Sequence, residues 1–305
     1  MSASIWTAWG ATVPSPAGRT SAPFFQTLGD LEVRHGGRSL DVTARLRRTI
    51  LAVLLTEAGR TVPLDTLIGC VWADTPPPSA IATLQSYVAN LRQVLEPGRR
   101  THAPATVLVT RGTGYALEVD RDQVDGLLFE DLVARALGRR DPLRAAADLS
   151  AAFELWRGEP LAEFGEPWAL AYRNRLAEIR EAAAEERVEG WLAAGSAAAA
   201  VVELEAMVVR RPLRERRWGQ LIRALYACGR QAEALAAYRR CRALLNAEFG
   251  LEPGPELRRL ESAVLAHDSA LIAPIDAPRA RHAADRSGIA RCPLSRPRAA
   301  PGIVR

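Results

Sequence analysis

Apolar residues recur at helical spacing along most of the chain, and short strand-like runs cluster near its start. The runs FFQTLGDLEV (24–33) and RSLDV (38–42) read as strands. The intervening His35-Gly36-Gly37 suits a tight turn, because glycine tolerates the left-handed backbone that such turns need. Thr43 then caps a helix through Ala58, with Leu46, Ile50, Val53 and Leu54 on its apolar side and Gly59 as its stop. Next, Leu64, Leu67, Ile68, Val71 and Trp72 fall on one helical side, which predicts a second helix from Pro63 to Ala73. After the run DTPPP a third helix starts near Ser79. Its apolar stripe is Ile81, Leu84, Val88, Leu91 and Leu95, and Pro97-Gly98 ends it. Two further strands, TVLVT and YALEV, flank RGTG and predict a hairpin with Arg111 at its tip.

From Asp120 to about His267 the pattern is helical throughout, and it repeats. Gly195, Ala200, Leu204 and Met207 are matched 34 residues later by Gly229, Ala234, Tyr238 and Cys241, and Val188 and Trp191 by Ile222 and Leu225. A period of about 34 residues with small and large apolar positions at these offsets is that of a tetratricopeptide helix pair. Trp218 and Leu221 supply its opening positions. Ala145, Leu149 and Ala152 form a more degenerate copy, which leaves room for an inserted segment around RGEPLAEFGEPW. Such units stack around a shared core and offer a groove to partners.

Composition narrows the chemistry. All 40 basic residues are arginine, which excludes Schiff-base chemistry and a phosphate-binding P-loop lysine. Residues 273–305 hold seven arginines against two aspartates, so this stretch accounts for the whole net charge of +5. With five prolines and few large apolar residues it reads as a disordered basic tail. Residues 24–120 carry ten arginines against nine acids. Any affinity for an anionic polymer must come from placement rather than excess. Cys70, Cys228, Cys241 and Cys292 have no paired short spacing, so neither a metal module nor a disulfide framework is expected. No apolar run is long enough for a membrane span, no secretion signal is read, and a reducing cytoplasmic setting is expected.

The third helix carries the functional signal. Opposite its apolar stripe lie Ser79, Ala82, Thr83, Ser86, Asn90 and Gln93, small or amide-bearing residues where a solvated helix would normally carry Glu and Arg. Such a face fits the major groove of duplex DNA. Asn90 and Gln93 are suited to adenine, Ser86 and Thr83 to base or phosphate, and Ala82 to close approach. Arg45, Arg47, Arg48, Arg92, Arg99 and Arg100 are the expected phosphate contacts, and Arg111 the minor-groove contact. An enzyme is not indicated. His35, His102, His267 and His282 are isolated, Glu185 and Glu186 read as solvated surface, and Gly112 and Gly114 read as a turn. Trp156, Trp168, Trp191 and Trp218 read as core rather than a ligand cage.

Together, the helix pair, the TPPPSA-led third helix and the TRGTGY hairpin resemble the OmpR-type winged helix. Joined to the 34-residue repeats and the segment GLEPGPELRRLESAVL, they resemble the Streptomyces-type antibiotic regulatory proteins over about residues 24–270. The resemblance implies a mainly α protein. Its expected parts are a disordered leader (1–23), a winged helix-turn-helix domain with small β-sheets (24–120), an all-α tetratricopeptide-like bacterial transcriptional activator domain (121–270) and the tail (271–305). It also implies an activator of an antibiotic biosynthetic gene cluster that binds direct repeats in double-stranded DNA, self-associates there and recruits RNA polymerase. Cytoplasmic, nucleoid-associated localisation follows, with no cofactor. By position, Ser86, Asn90 and Arg92 match base- or backbone-facing sites of the family's recognition helix, and Arg111 matches the start of the wing. The chain departs from larger relatives in having no Walker motif, so control by ATP is not expected. It departs from many relatives at DVTARLRR, where they carry a basic or glutamine-arginine segment opening the first long helix. The alternative is a repeat scaffold or a small-molecule sensor without strong DNA binding of its own. A scaffold has no need of the uncharged third-helix face.

Overall fold

The computed structural model describes residues 22–100, 103–268 and 271. Nearly all of the expected leader and tail, together with His102, His282 and Cys292, lie outside these residues. Three short strands, β1 (Phe24–Gln26), β2 (Glu32–His35) and β3 (Arg38–Ser39), form an antiparallel sheet in the order β1-β2-β3. The expected first strand is therefore two. The chain turns at Thr27 and Leu28 because their backbone N–H groups are captured by the Asp125 carboxylate, at 2.6 and 3.1 Å, instead of a neighbouring strand. Gly36 and Gly37 make the β2–β3 turn at φ +55° and +80°.

Helix α1 (Arg45–Thr56) is buried from Thr49 through Leu55. Its N-cap is Ala44 rather than Thr43, and no side chain caps it. A two-residue edge strand, β4 (Val62–Pro63), leads into α2 (Leu64–Trp72), and a turn through Ala73–Ser79 leads into α3 (Ala80–Leu95). Strands β5 (Leu108–Arg111) and β6 (Gly114–Leu117) form the expected hairpin, and β4 joins it in the order β4-β6-β5. Pro63 is tolerated because β4 is an edge. The third strand brings the Val62 carbonyl so close to Gly114 that a Cβ there would sit 2.2 Å from its oxygen.

The helical part comprises α4 (Asp125–Leu137), α5 (Pro142–Phe153), α6 (Pro167–Ala193), α7 (Ala197–Arg210), α8 (Glu215–Ala227), α9 (Gln231–Phe249) and α10 (Pro255–Leu265). The repeat is visible in atoms. Gly195 and Gly229 each hold φ +73° between paired helices, and Ala200, Leu204 and Met207 are buried as are Ala234, Tyr238 and Cys241. Ala145, Leu149 and Ala152 occupy the corresponding buried side of α5. Of the four tryptophans expected in the core, Trp218 is buried. The other three are half-buried, with Arg180 stacked 4.5 Å over Trp156 and Arg187 4.7 Å over Trp191.

Among the described residues two hydrophobic cores result. The first joins Phe25, Leu28, Ile50, Leu67, Leu84 and Leu91 to Phe129, Leu149, Phe164 and Tyr172, and the second runs from Ala184 to Val264. Helix α6 serves both, which is why its 27 residues show no single apolar stripe. Around the first core, Thr27 and Asp125 form a buried polar seam with Tyr172, whose hydroxyl lies 2.9 Å from Thr27 Oγ1. Desolvation pushes both the Asp125 carboxyl and the Tyr172 phenol above their ordinary ranges. The inserted segment returns to the first sheet, where Leu161 N donates to the carbonyls of Thr27 and Gly29 at 3.0 and 2.8 Å.

Glu185, expected at the solvated surface, is buried between α6 and α8. Arg217, fully buried, donates to it through Nε at 2.9 Å and also pairs with Glu181. Arg214 and Arg216 approach Glu185 at 3.5 and 3.6 Å. Among the described residues no helix is long and apolar enough to cross a membrane.

Candidate nucleic-acid interface

Helix α3 owes its position to Leu84, Val88, Leu91 and Leu95, which are buried in the first core, and Ala80 is buried at its start. Ile81, expected in that stripe, is 51% exposed. Ala80 takes the inner place, and at about 100° per residue Ile81 is rotated onto the flank. The opposite face is open. Ser79, Ala82, Ser86 and Gln93 are exposed, and Thr83 and Asn90 are half-buried. Gln85 and Ala89 are also exposed and were missed in the list of outer residues. The wheel angle places Ala89 beside Ala82, at the edge of the same face. Ser79 holds the N-cap position without a cap bond, and its hydroxyl oxygen lies 3.5 Å from that of Thr83.

The arginines expected around this face divide by what they touch. Arg48 is a structural bridge. It donates to Glu163 Oε2 at 2.6 Å, to the Leu31 carbonyl at 2.6 Å and to the Val42 carbonyl at 3.0 Å. The Glu163 carboxylate holds it still more firmly protonated than an ordinary arginine. Arg92 fastens α3 to the hairpin, donating to Leu108 O at 2.8 Å and Thr110 Oγ1 at 2.9 Å, with its guanidinium 5.8 Å from the Tyr115 ring centroid. Arg99 closes the loop after α3 through the Ala103 carbonyl at 2.5 Å and Glu96 at 3.7 Å. These three are committed within the fold, where the sequence reading had them free for phosphate.

The rest are more available. Arg45, the first residue of α1, is largely exposed and pairs with Glu166 at 3.3 Å. Arg47 reaches from α1 to α3 and donates to Asn90 Oδ1. Arg100 is exposed beyond the end of α3. Arg111 stands half-exposed beside the Gly112 turn of the hairpin, paired with Glu118 at 2.7 Å. The result is an uncharged, donor- and acceptor-bearing helix face bordered by Arg47, with Arg45 and Arg100 near the ends of α1 and α3 and a hairpin carrying Arg111. That combination matches what groove reading requires, base-edge chemistry at the centre and cations at the border. Among the described residues no group of three or more His, Cys, Asp or Glu side chains is placed to hold a metal ion.

Comparison with known proteins agrees with this architecture. Residues 37–117 match the family described as "Transcriptional regulatory protein, C terminal", and residues 124–265 match "Bacterial transcriptional activator domain". The chain is 38% identical over 268 residues to the regulatory protein AfsR of Streptomyces griseus, covering 87% of this chain and 27% of AfsR. It thus spans about a quarter of the length of the AfsR regulators. With the regulatory protein DnrI of Streptomyces peucetius it shares 35% identity, over 79% of this chain and 91% of DnrI. The solved structure of Mycobacterium tuberculosis EmbR, in complex with a low-affinity phosphopeptide, superposes with a TM-score of 0.72 at 34% identity. That match covers 80% of this chain and 65% of EmbR.

Proposed function

The chain belongs to the Streptomyces-type antibiotic regulatory protein family of transcription regulators, and on that premise we propose that it is a DNA-binding activator of an antibiotic biosynthetic gene cluster. Helix α3 enters the major groove, where Ser79, Thr83, Ser86, Asn90 and Gln93 meet base edges or sugar-phosphate. Arg45, Arg47 and Arg100 contact phosphates, and Arg111 on the hairpin enters the minor groove. The observation that carries this reading is the exposed outer face of α3, which has no charged side chain between Ser79 and Asn90.

The electrostatics shape the mode of binding. Residues 24–120 have a near-zero net charge, and Arg48, Arg92 and Arg99 are committed within the fold, so one module makes few phosphate contacts. Its affinity is low and falls with salt. Binding to direct repeats by two or more copies, with the helical domain supplying self-association and contact with RNA polymerase, raises occupancy by effective concentration. The protein acts in the bacterial cytoplasm, on the nucleoid. Mobility-shift titration against promoter DNA carrying direct repeats about one helical turn apart tests the proposal. Binding no tighter than to random duplex at the same salt refutes it.

A further inference from the structure

The pairing of Arg47 with Asn90 constrains which base the recognition helix selects. Asn90 has two kinds of hydrogen-bonding edge, a carbonyl that accepts and an amide NH2 that donates. Adenine recognition by asparagine uses both edges at once, one for the N6 amine and one for N7. Here the carbonyl already accepts from an Arg47 Nη, and because a guanidinium only donates, this contact fixes which way round the carboxamide lies. The oxygen keeps a second lone pair, but the neighbouring cation repels the positive hydrogens of any further donor. What Asn90 offers outward is its NH2.

We infer that Asn90 reads the groove as a hydrogen-bond donor and selects guanine, with Arg47 as the positioning residue that holds it in that role. Guanine presents two adjacent acceptors, O6 and N7, to such a group, whereas adenine would leave its N6 amine facing an occupied carbonyl. The inference rests on the groove-reading assignment above and extends it to the base chosen. It also replaces the adenine preference expected for Asn90 from residue type alone. Asn90 is half-buried at the α1 side of the outer face, so the base it meets lies under the second half of α3.

The test is selection of duplex DNA from a randomised pool by the full chain, repeated with Arg47→Met and Asn90→Ala. The wild-type pool should show one guanine position, preferred about tenfold or more, that Asn90→Ala alone relaxes. Arg47→Met, which frees the carbonyl, should shift that same position toward adenine and leave the others unchanged. Loss of a phosphate contact by Arg47→Met weakens all sequences alike and is distinguishable from a shift at one position. Equal thermal midpoints for wild type and variants confirm that folding is intact. Adenine at the Asn90-dependent position, or an Arg47→Met pool identical to wild type at every position, overturns the inference while groove reading stands. Failure of the wild type to enrich any sequence removes groove reading and this inference together.

Discussion

Replacing Arg217 by Met should destabilise the chain more than an ordinary surface change by a wide margin. The side chain is fully buried in α8 and its donors serve Glu185, Glu181 and the Met207 carbonyl. Methionine fills similar space but supplies no donor, so the Glu185 and Glu181 carboxylates lose their buried partner. Breaking a buried ion pair from one side costs about 3–5 kcal/mol, because a desolvated charge is left behind. Glu185 keeps Arg214 and Arg216 at 3.5 and 3.6 Å, which places the expected loss near the lower bound, about 3 kcal/mol. For a chain of this size that is a drop of roughly 6–12 °C in thermal midpoint. Circular dichroism melts and urea titration both measure it. Adding Glu185→Leu to Arg217→Met removes one stranded charge and should recover part of the loss, a non-additivity that a double-mutant cycle reads directly. An Arg217→Met variant within about 1 kcal/mol of wild type would show that the pair is as dispensable as an exposed one, and the reasoning would fail.

Four other outcomes are expected. Asp125→Asn, though isosteric, should lose about 1–3 kcal/mol in urea unfolding, since both carboxylate oxygens accept from Thr27 and Leu28 and an amide turns one of them into a donor. Gly114→Ala should unseat β4 from β6, at a cost of about 1–3 kcal/mol, visible as lost hydrogen-exchange protection at Tyr115. Thiol alkylation near neutral pH, mapped by mass spectrometry, should label exposed Cys228 long before Cys241, whose thiol burial pushes up to about 12. Arg100→Ala should weaken binding to all DNA sequences and reduce the salt slope by about 1, whereas Arg48→Ala should lower the melting temperature instead.

How far the sequence reached depends on the range of the interaction involved. The α3 stripe at Leu84, Val88, Leu91 and Leu95 and the matched Gly195 and Gly229 turns were legible, because periodicity and glycine conformation are local. Ile81 was misplaced because the stripe's first turn has two apolar candidates, and only the packing around α3 decides that Ala80 goes inside. Glu185 was misread because its partner lies 32 residues away, about one repeat, on the next repeat's first helix. The arginines around α3 were recognisable as a group, but their division was not. What commits Arg48 is Glu163, 115 residues distant in an inserted segment without regular pattern. The split between β1 and β2 likewise depends on Asp125, 98 residues beyond Thr27.

The first core has a consequence for how such regulators are recombined. Phe25, Leu28 and Leu31 share it with Phe129, Leu161, Phe164 and Tyr172. A chimera joined near residue 120 would pair a reading head from one parent with the wrong half of its own interior, and would be expected to aggregate whatever the quality of its α3. The transplantable unit extends instead through the front half of α6 to Ala183, where the first core ends and Ala184 opens the second. Grafting a new DNA specificity onto a relative's activator repeats therefore calls for a junction in the middle of a helix, at the register where the interior changes hands.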